Sequence, residues 1–255
     1  KGSYLLPRTQ KIWEGGKPLR KPVILYSSIW ATLLMLGFFI VSSLSGSNIS
    51  FRGGTNRSPG IQHLQGKVVV LDPGHGGGDP GTVGVGPTTE AENVLAITWE
   101  LRPMLDRSGA QVIMTRQSDA NPSVGTQFDG QRNGQLAARV ATSNRSRGQI
   151  YISLHNDWHD NTTVKGTSVH YYKSQDLALA ETLHRHLVGQ TKAVDLGVKR
   201  SNFYVLRNTS VPAALVEIGF LSNSEEASLL AKPAYRREVA LGLLAGINAY
   251  FAGEF

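Results

Sequence analysis

The sequence predicts one α/β domain over residues 67–255, with a mostly parallel twisted sheet flanked by helices, behind an N-terminal transmembrane helix and a flexible linker. Two observations carry this prediction. After Lys67, short apolar runs alternate with segments of helical period, a pattern typical of parallel strands joined by crossover helices. Before it, 22 consecutive residues from Val23 to Leu44 carry no charge, and at helical rise they would span about 33 Å, enough to cross a bilayer core.

The segment before the domain divides into three parts. Residues 1–21 hold six Lys/Arg against one acidic residue, so the positive-inside rule predicts a basic cytoplasmic segment, a transmembrane anchor over 22–44 and a domain outside the membrane. A cleaved signal sequence is the alternative, because small residues from Ser42 to Ser47 suit a cleavage site. Residues 45–66 are rich in Gly, Ser and Asn, which predicts a flexible linker with a reach of about 25 Å.

The net charge of +7 lies entirely before the domain. From Lys67 onward the chain holds 18 basic and 18 acidic residues. A nucleic-acid-binding surface should carry its positive charge on the folded part, so we expect no nucleic-acid partner. The absence of Cys excludes disulfides and thiolate metal sites and leaves His and carboxylates as the strong metal ligands.

Apolar runs and helical periods predict five strands and four helices in the domain. The strands are expected at 67–72, 110–115, 149–154, 166–172 and 213–218. The helices are expected at roughly 90–106, 130–145, 176–190 and 234–251. Pro103 lies inside the first helix and should kink it or end it nearby, because proline removes a backbone hydrogen bond.

Polar residues follow three of the predicted strands. Ligands bind at the carboxyl ends of strands in open α/β sheets, which directs attention to His75 in the glycine-rich turn after the first strand and to His155 after the third. Glu217 lies in the apolar run VPAALVEIGF. A carboxylate there needs a partner or a cleft, since burying it alone is costly.

A fourth candidate is Glu90, which opens the first helix. Thr89 and Glu92 fit a capping box, so Glu92 has a structural role and Glu90 is left free. Two His and one Glu from separate loops would make the three-ligand site that catalytic zinc uses, and a second carboxylate would serve as general base.

Simpler interpretations exist for each candidate. Taken singly, His75 and His155 fit turn histidines, and Glu90 fits an acid stabilised by the helix dipole; Glu217 favours a function even alone. His159 and His170 are reserve ligands. The glycines of the first turn also fit G-x-G-x-x-G, but no helix opens directly after them to receive a phosphate, so a nucleotide site is not expected.

The motifs LDPGHGG, a Glu opening a helix, SLHND and LVEIGFLSN resemble, in this order, the zinc-dependent N-acetylmuramoyl-L-alanine amidases of the amidase_3 family. The resemblance covers about residues 67–252. It implies that His75, Glu90 and His155 bind one Zn²⁺ and that Glu217 is the catalytic carboxylate. It also implies peptidoglycan as substrate, with hydrolysis of the amide between N-acetylmuramic acid and L-alanine of the stem peptide.

The resemblance carries further expectations. Substrate contacts are implied at Asn156, in SLHND, and at Arg207, in VLRN. Only 20 residues separate His155 from Asp176, too few for the inserted plugging helix of some relatives, so no built-in plug is expected. A non-catalytic wall-binding module and a zinc peptidase acting within the stem peptide stay open as alternatives, and the sequence names no protein activator.

Overall fold

The computed structural model describes residues 62–255. The predicted cytoplasmic segment, the anchor over 22–44 and nearly all of the predicted linker lie outside the described residues, so these stay predictions. Within 62–255, no helix combines the length and apolar character needed to cross a bilayer.

Within residues 62–255, six strands form one sheet, and the prediction of a mostly parallel α/β domain is confirmed. The strands are β1 (Val68–Pro73), β2 (Gln111–Met114), β3 (Ile150–Asp157), β4 (Thr167–Tyr171), β5 (Asp195–Arg200) and β6 (Ala213–Phe220). Their order is β2-β1-β3-β6-β4-β5, and every neighbouring pair is parallel except β4 with β6. The carboxyl ends of β1, β3 and β6 therefore meet at one edge of the sheet.

Helices cover both faces of the sheet. They are α1 (Glu90–Arg107), α2 (Gly134–Arg145), α3 (Leu177–Thr191), α4 (Tyr204–Asn208), α5 (Ser224–Leu230) and α6 (Pro233–Ala252). Leu101 of α1, Leu183 of α3 and Leu243 of α6 belong to the larger core cluster. A second, smaller core cluster contains Tyr151 of β3 and Val140 of α2. Apolar burial on the two faces fixes the helices that frame the functional edge.

The first helix was expected over roughly 90–106, with a kink or an end near Pro103, and it ends four residues beyond the proline. Helix α1 continues through Pro103 to Arg107. Pro103 is exposed, whereas Leu101, Met104 and Leu105 beside it are buried in the core. Packing of these three side chains holds the last turn, and water can reach the exposed side where the backbone bond is missing.

Strand β5 and the short helices α4 and α5 were not expected. In β5 only Leu196 and Val198 are apolar, and both are only partly buried. An edge strand of this kind gives little alternation to recognise. Helices α4 and α5 span five and seven residues, less than two turns each, which is too short for a helical period to show.

Candidate metal centre

The turn after β1 presents His75. Its backbone adopts φ of 58°, in the left-handed region, and its ring Nδ1 lies 2.9 Å from Asp79 Oδ2. The other oxygen of Asp79 accepts a hydrogen bond from the Gly81 amide at 3.0 Å. Asp79 thus fixes the ring, and Nε2 is turned toward Glu90.

Glu90 lies between the two predicted histidine ligands. Its Oε1 is 3.1 Å from His75 Nε2 and 2.8 Å from His155 Nδ1. The backbone amides of Thr82 and Asn156 donate to the same carboxylate at 2.8 and 3.1 Å. One atom from each of the three side chains lies within 4.8 Å of the others, a group that could hold a metal ion.

The start of α1 leaves Glu90 free for this position. The predicted capping box is confirmed: the Glu92 amide donates to Thr89 Oγ1 at 3.3 Å, and the Thr89 amide donates to Glu92 Oε2 at 2.8 Å. Because Glu92 satisfies the helix terminus, the Glu90 side chain can turn to the histidines.

Two glycines make the close approach of these side chains feasible. A Cβ at Gly74 would lie 2.4 Å from the His155 ring, and a Cβ at Gly81 would lie 2.6 Å from Glu90 Oε2. Gly81 also has φ of 65°, which side chains rarely adopt. The glycine-rich turn is therefore shaped around the histidines and Glu90.

The charges of the group are strongly coupled. Burial alone would raise the pKa of Glu90, but the neighbouring His155 and His75 outweigh it and hold that pKa well below its usual range. Burial would lower the pKa of His75, but Glu90 and Asp79 raise it. The donors that converge on Glu90 thus stabilise its carboxylate as an anion.

Glu217 lies on the strand next to His155. The two residues are partners in the register of β3 and β6, and Glu217 is only 9% exposed. Within residues 62–255, its Oε2 is buried with no hydrogen-bond partner. Burial, followed by the negative charges of Asp157 and Glu90, raises the pKa of Glu217 well above its usual value. A buried carboxyl with an unsatisfied oxygen makes Glu217 a candidate for a catalytic group.

Two buried arginines that the sequence analysis missed as site residues hold the turn in place. Arg116 donates to the carbonyls of Pro73 and Gly74 at 2.9 and 2.7 Å. Arg139 donates to Asp72 Oδ1 at 2.6 Å, to the Pro73 carbonyl at 2.8 Å and to the His75 carbonyl. Arg116 contacts a turn that lies 42 residues earlier in the chain, so its role leaves no local signal in the sequence.

Asp72 is the anion that pairs with Arg139. Burial alone would raise its pKa, but Arg139 and the hydroxyls of Thr115, Tyr151 and Ser153 outweigh burial and hold the pKa at about 2. Tyr151 and Ser153 donate to Oδ2 at 2.5 and 2.7 Å. Asp72 therefore anchors the arginine that holds the turn.

A cavity of about 470 Å³ opens over the group. His75, His155 and Glu217 line it, together with residues from α2 and the segment before it and with Phe203 and α4. Its volume suits a ligand of small-molecule size.

Asn156 and Arg207, the predicted substrate contacts, are not brought into this lining. Asn156 is 2% exposed, and its side-chain amide donates to the His155 carbonyl at 3.1 Å. Arg207 is exposed, and its guanidinium donates to Asn202 Oδ1 at 2.8 Å. Their contact with substrate stays a prediction, and the Asn156 backbone instead supports Glu90.

The reserve ligands are also placed elsewhere. His170 Nδ1 lies 2.7 Å from Ser201 Oγ, and its Nε2 lies 3.2 Å from Ser168 Oγ. His159 Nδ1 accepts from the Asn161 amide at 3.0 Å. Within residues 62–255, the group of His, Asp or Glu side chains that could hold a metal is His75, Glu90 and His155.

Comparison with known proteins finds one family and many relatives. The Amidase_3 family profile, described as N-acetylmuramoyl-L-alanine amidase, matches residues 69–249. The germination-specific N-acetylmuramoyl-L-alanine amidase of Bacillus subtilis strain 168 is 35% identical over 230 residues, which are 87% of this chain and 94% of that protein. The probable cell wall amidase LytH of Staphylococcus saprophyticus is 34% identical over 77% of this chain, and the chain spans 62% of that relative's length.

Solved structures give the same similarity. The CwlD amidase from Clostridioides difficile, in complex with the GerS lipoprotein, superposes with a TM-score of 0.69 at 30% identity over 73% of this chain and 99% of that one. The catalytic domain of CwlV, an N-acetylmuramoyl-L-alanine amidase from Bacillus (Paenibacillus) polymyxa var. colistinus, has a TM-score of 0.66 at 30% identity, over 73% of this chain and 98% of that chain.

Proposed function

The chain belongs to the Amidase_3 family of N-acetylmuramoyl-L-alanine amidases, and from this premise we propose that it hydrolyses the amide between N-acetylmuramic acid and L-alanine in peptidoglycan. The observation that carries the proposal is the convergence of His75, Glu90 and His155 beside the buried Glu217. A three-ligand group next to a second carboxylate is the arrangement that metal-dependent hydrolysis needs.

His75, Glu90 and His155 would hold Zn²⁺. Two imidazoles and a carboxylate are the ligands of several catalytic zinc sites, and such a site keeps a position open for water or substrate. Asp79 fixes His75 from behind, and the Thr82 amide fixes Glu90; such outer contacts orient metal ligands. When bound, zinc supplies Lewis acidity, which makes water more acidic and polarises a carbonyl.

Glu217 would move the proton. In our proposal its Oε2, which has no hydrogen-bond partner within residues 62–255, accepts a proton from the attacking water and returns it to the departing amino group of L-alanine. The raised pKa of Glu217 suits this role, because a carboxylate with a pKa above its usual range is a stronger base toward the water. One carboxyl thus serves as base and then as acid.

Mass spectrometry of the products tests the proposal. Purified peptidoglycan would be incubated with the zinc-loaded chain, and the soluble fragments compared with those from the chain treated with chelator. We expect intact peptides that begin with L-alanine, lost on chelation. Fragments cleaved within the stem peptide would instead indicate a zinc peptidase, and wall binding without fragments would indicate a non-catalytic module. Either outcome would contradict the proposal.

We also propose that the domain acts outside the cytoplasm, tethered by the apolar segment over 22–44. The charge bias of residues 1–21 supports this orientation, and so do relatives named as cell wall amidases. Externally added protease on spheroplasts should digest the domain and spare a tag at the N-terminus. A domain protected from the protease would contradict the external location. A domain released into the medium without the apolar segment would instead indicate a cleaved signal sequence.

A further inference from the structure

One cation in the cavity lining has no assigned partner. Arg139 is paired with Asp72 and with backbone carbonyls, whereas Arg132 makes no hydrogen bond or ion pair within the described part of the chain. Arg132 is exposed at the cavity, close along the chain to Gln135, which also lines it. Its guanidinium is therefore free to bind an anion that enters.

The segment that carries Arg132 is tied to the same turn as His75. Residues 115–133 connect β2 to α2 without a helix or strand, a length that is usually functional when ordered. Asp119 Oδ1 accepts from the Gly77 amide at 2.7 Å, and Arg116 donates to the Ser118 carbonyl at 3.0 Å as well as to the turn. These contacts hold the segment against the turn that carries His75.

Another part of the cavity lining is aromatic and apolar. Phe203, Tyr204 and Val205 line it, and the Phe203 ring meets His170 edge to face with centroids 5.3 Å apart. These three residues offer aromatic and apolar surface, and the cations near them, Lys199 and Arg207, are not among the lining residues. A ligand with one anionic group would accordingly be oriented with that group at Arg132.

We propose that Arg132 is a specificity-determining residue that binds the first free carboxylate of the stem peptide while the scissile amide lies at Glu217. This inference rests on the proposed function. The muramoyl group is uncharged once its lactyl carboxyl is in the amide. The nearest anion is therefore the α-carboxylate of the D-Glu that follows L-Ala, because D-Glu is joined to the next residue through its γ-carboxyl. Arginine suits such a carboxylate because its planar fork can donate two parallel hydrogen bonds.

Two substrates that differ only in this carboxylate test the proposal. They are MurNAc-L-Ala-γ-D-Glu-L-Lys-NH2 and the same compound with the D-Glu α-carboxyl amidated. The variants are Arg132→Gln, Arg132→Lys and, as control, Arg147→Gln. Arg147 is also an exposed arginine, but it lies beyond the other end of α2, about 20 Å along the helix from Arg132.

We expect Arg132→Gln to raise KM for the carboxylate substrate about tenfold or more, the loss typical of a hydrogen bond to a charged group, with little change in kcat. For the amidated substrate, Arg132→Gln and the unsubstituted chain should give the same KM. Arg132→Lys should restore part of the affinity, and Arg147→Gln should match the unsubstituted chain. Calorimetric titration of both compounds into Glu217→Gln, with and without Arg132→Gln, should give the same pattern in Kd.

Two other outcomes are distinguishable. If the unsubstituted chain hydrolyses both substrates with equal KM, or Arg132→Gln raises both KM values equally, the role of Arg132 is overturned and the proposed amidase function stands. If the zinc-loaded chain releases no L-alanine-headed peptide from either substrate, the proposed function fails and the role of Arg132 in it fails too.

Discussion

His155 and Glu217 are register partners on the parallel strands β3 and β6, so their side chains leave the sheet on the same face. Adjacent parallel strands lie roughly 4.8 Å apart. This pairing places a candidate metal ligand and a candidate proton carrier side by side on neighbouring strands. Neither residue lies on a loop. Their relative position is thus fixed by backbone hydrogen bonds of the sheet.

Replacing Glu217 by Gln should separate metal binding from turnover. The amide cannot exchange the proton, and general acid–base groups contribute about 10²- to 10⁴-fold, so we expect a loss of at least 10²-fold in kcat with one equivalent of zinc retained. Glu225→Gln is the control, because Glu225 is exposed and pairs with Lys165 at 2.7 Å. Near-normal hydrolysis by Glu217→Gln would exclude Glu217 as proton carrier.

Two glycines of one turn should respond differently to the same substitution. A Cβ at Gly74 would lie 2.4 Å from His155, whereas a Cβ at Gly78 meets nothing within 4 Å. Gly74→Ala should displace the His155 ring and lower zinc occupancy, at a cost of about 1–3 kcal/mol in stability, while Gly78→Ala keeps both. Equal zinc content in the two variants, measured by atomic emission, would contradict the tight packing proposed for His155.

Asp79 should affect metal affinity without being a ligand. It fixes His75 through Nδ1 at 2.9 Å, and loss of such outer contacts typically weakens metal affinity by about 10- to 100-fold. Asp79→Ala should show this loss in a competition titration with a chromophoric chelator. Asp106→Ala, on the exposed side of α1, is the control, and an Asp79→Ala affinity equal to that of the control would remove Asp79 from the support of the site.

The Asp72–Arg139 pair should make stability depend on acid. The pKa of Asp72 is lowered from 3.8 to about 2 in the folded chain, so ionised Asp72 stabilises the fold above pH 4. That contribution, about 2 kcal/mol, is lost as the pH falls from about 4 to about 2. Urea denaturation of chelator-treated protein at several pH values should show this fall in the free energy of unfolding.

Asp72→Asn supplies the comparison for this measurement. The variant lacks the titrating carboxylate and leaves Arg139 buried without its anion, which should destabilise the fold by about 3–5 kcal/mol at neutral pH. Its free-energy difference from the unsubstituted chain should shrink below pH 4. A difference that stays constant down to pH 2 would show that Asp72 does not titrate as described.

The sequence was sufficient to predict that His75, Glu90 and His155 come together, because of a rule about topology. Polar residues at the carboxyl ends of parallel strands meet at one edge, so His75 and His155 could be paired although 80 positions separate them. Glu90 was separable from Glu92 because the capping box occupies the latter. That interpretation needed only the spacing between Thr89 and Glu92.

The supporting arginines could not be predicted in the same way. Arg139 lies on α2, and its anion, Asp72, lies 67 residues earlier, so neither position carries a local sign of the pairing. An arginine in an amphipathic helix ordinarily marks the solvent face, yet Arg139 is 2% exposed. The position of Arg132 at the cavity could not be predicted from the sequence either, because only the fold shows that the segment before α2 borders the cavity.

Anomalous diffraction at the zinc edge, from crystals of the zinc-loaded chain, tests the central claim most directly. We predict one strong anomalous peak in the domain, within bonding distance of His75, Glu90 and His155 and next to Glu217. A domain with no peak there, or with zinc bound at other side chains while these three are empty, would contradict the account.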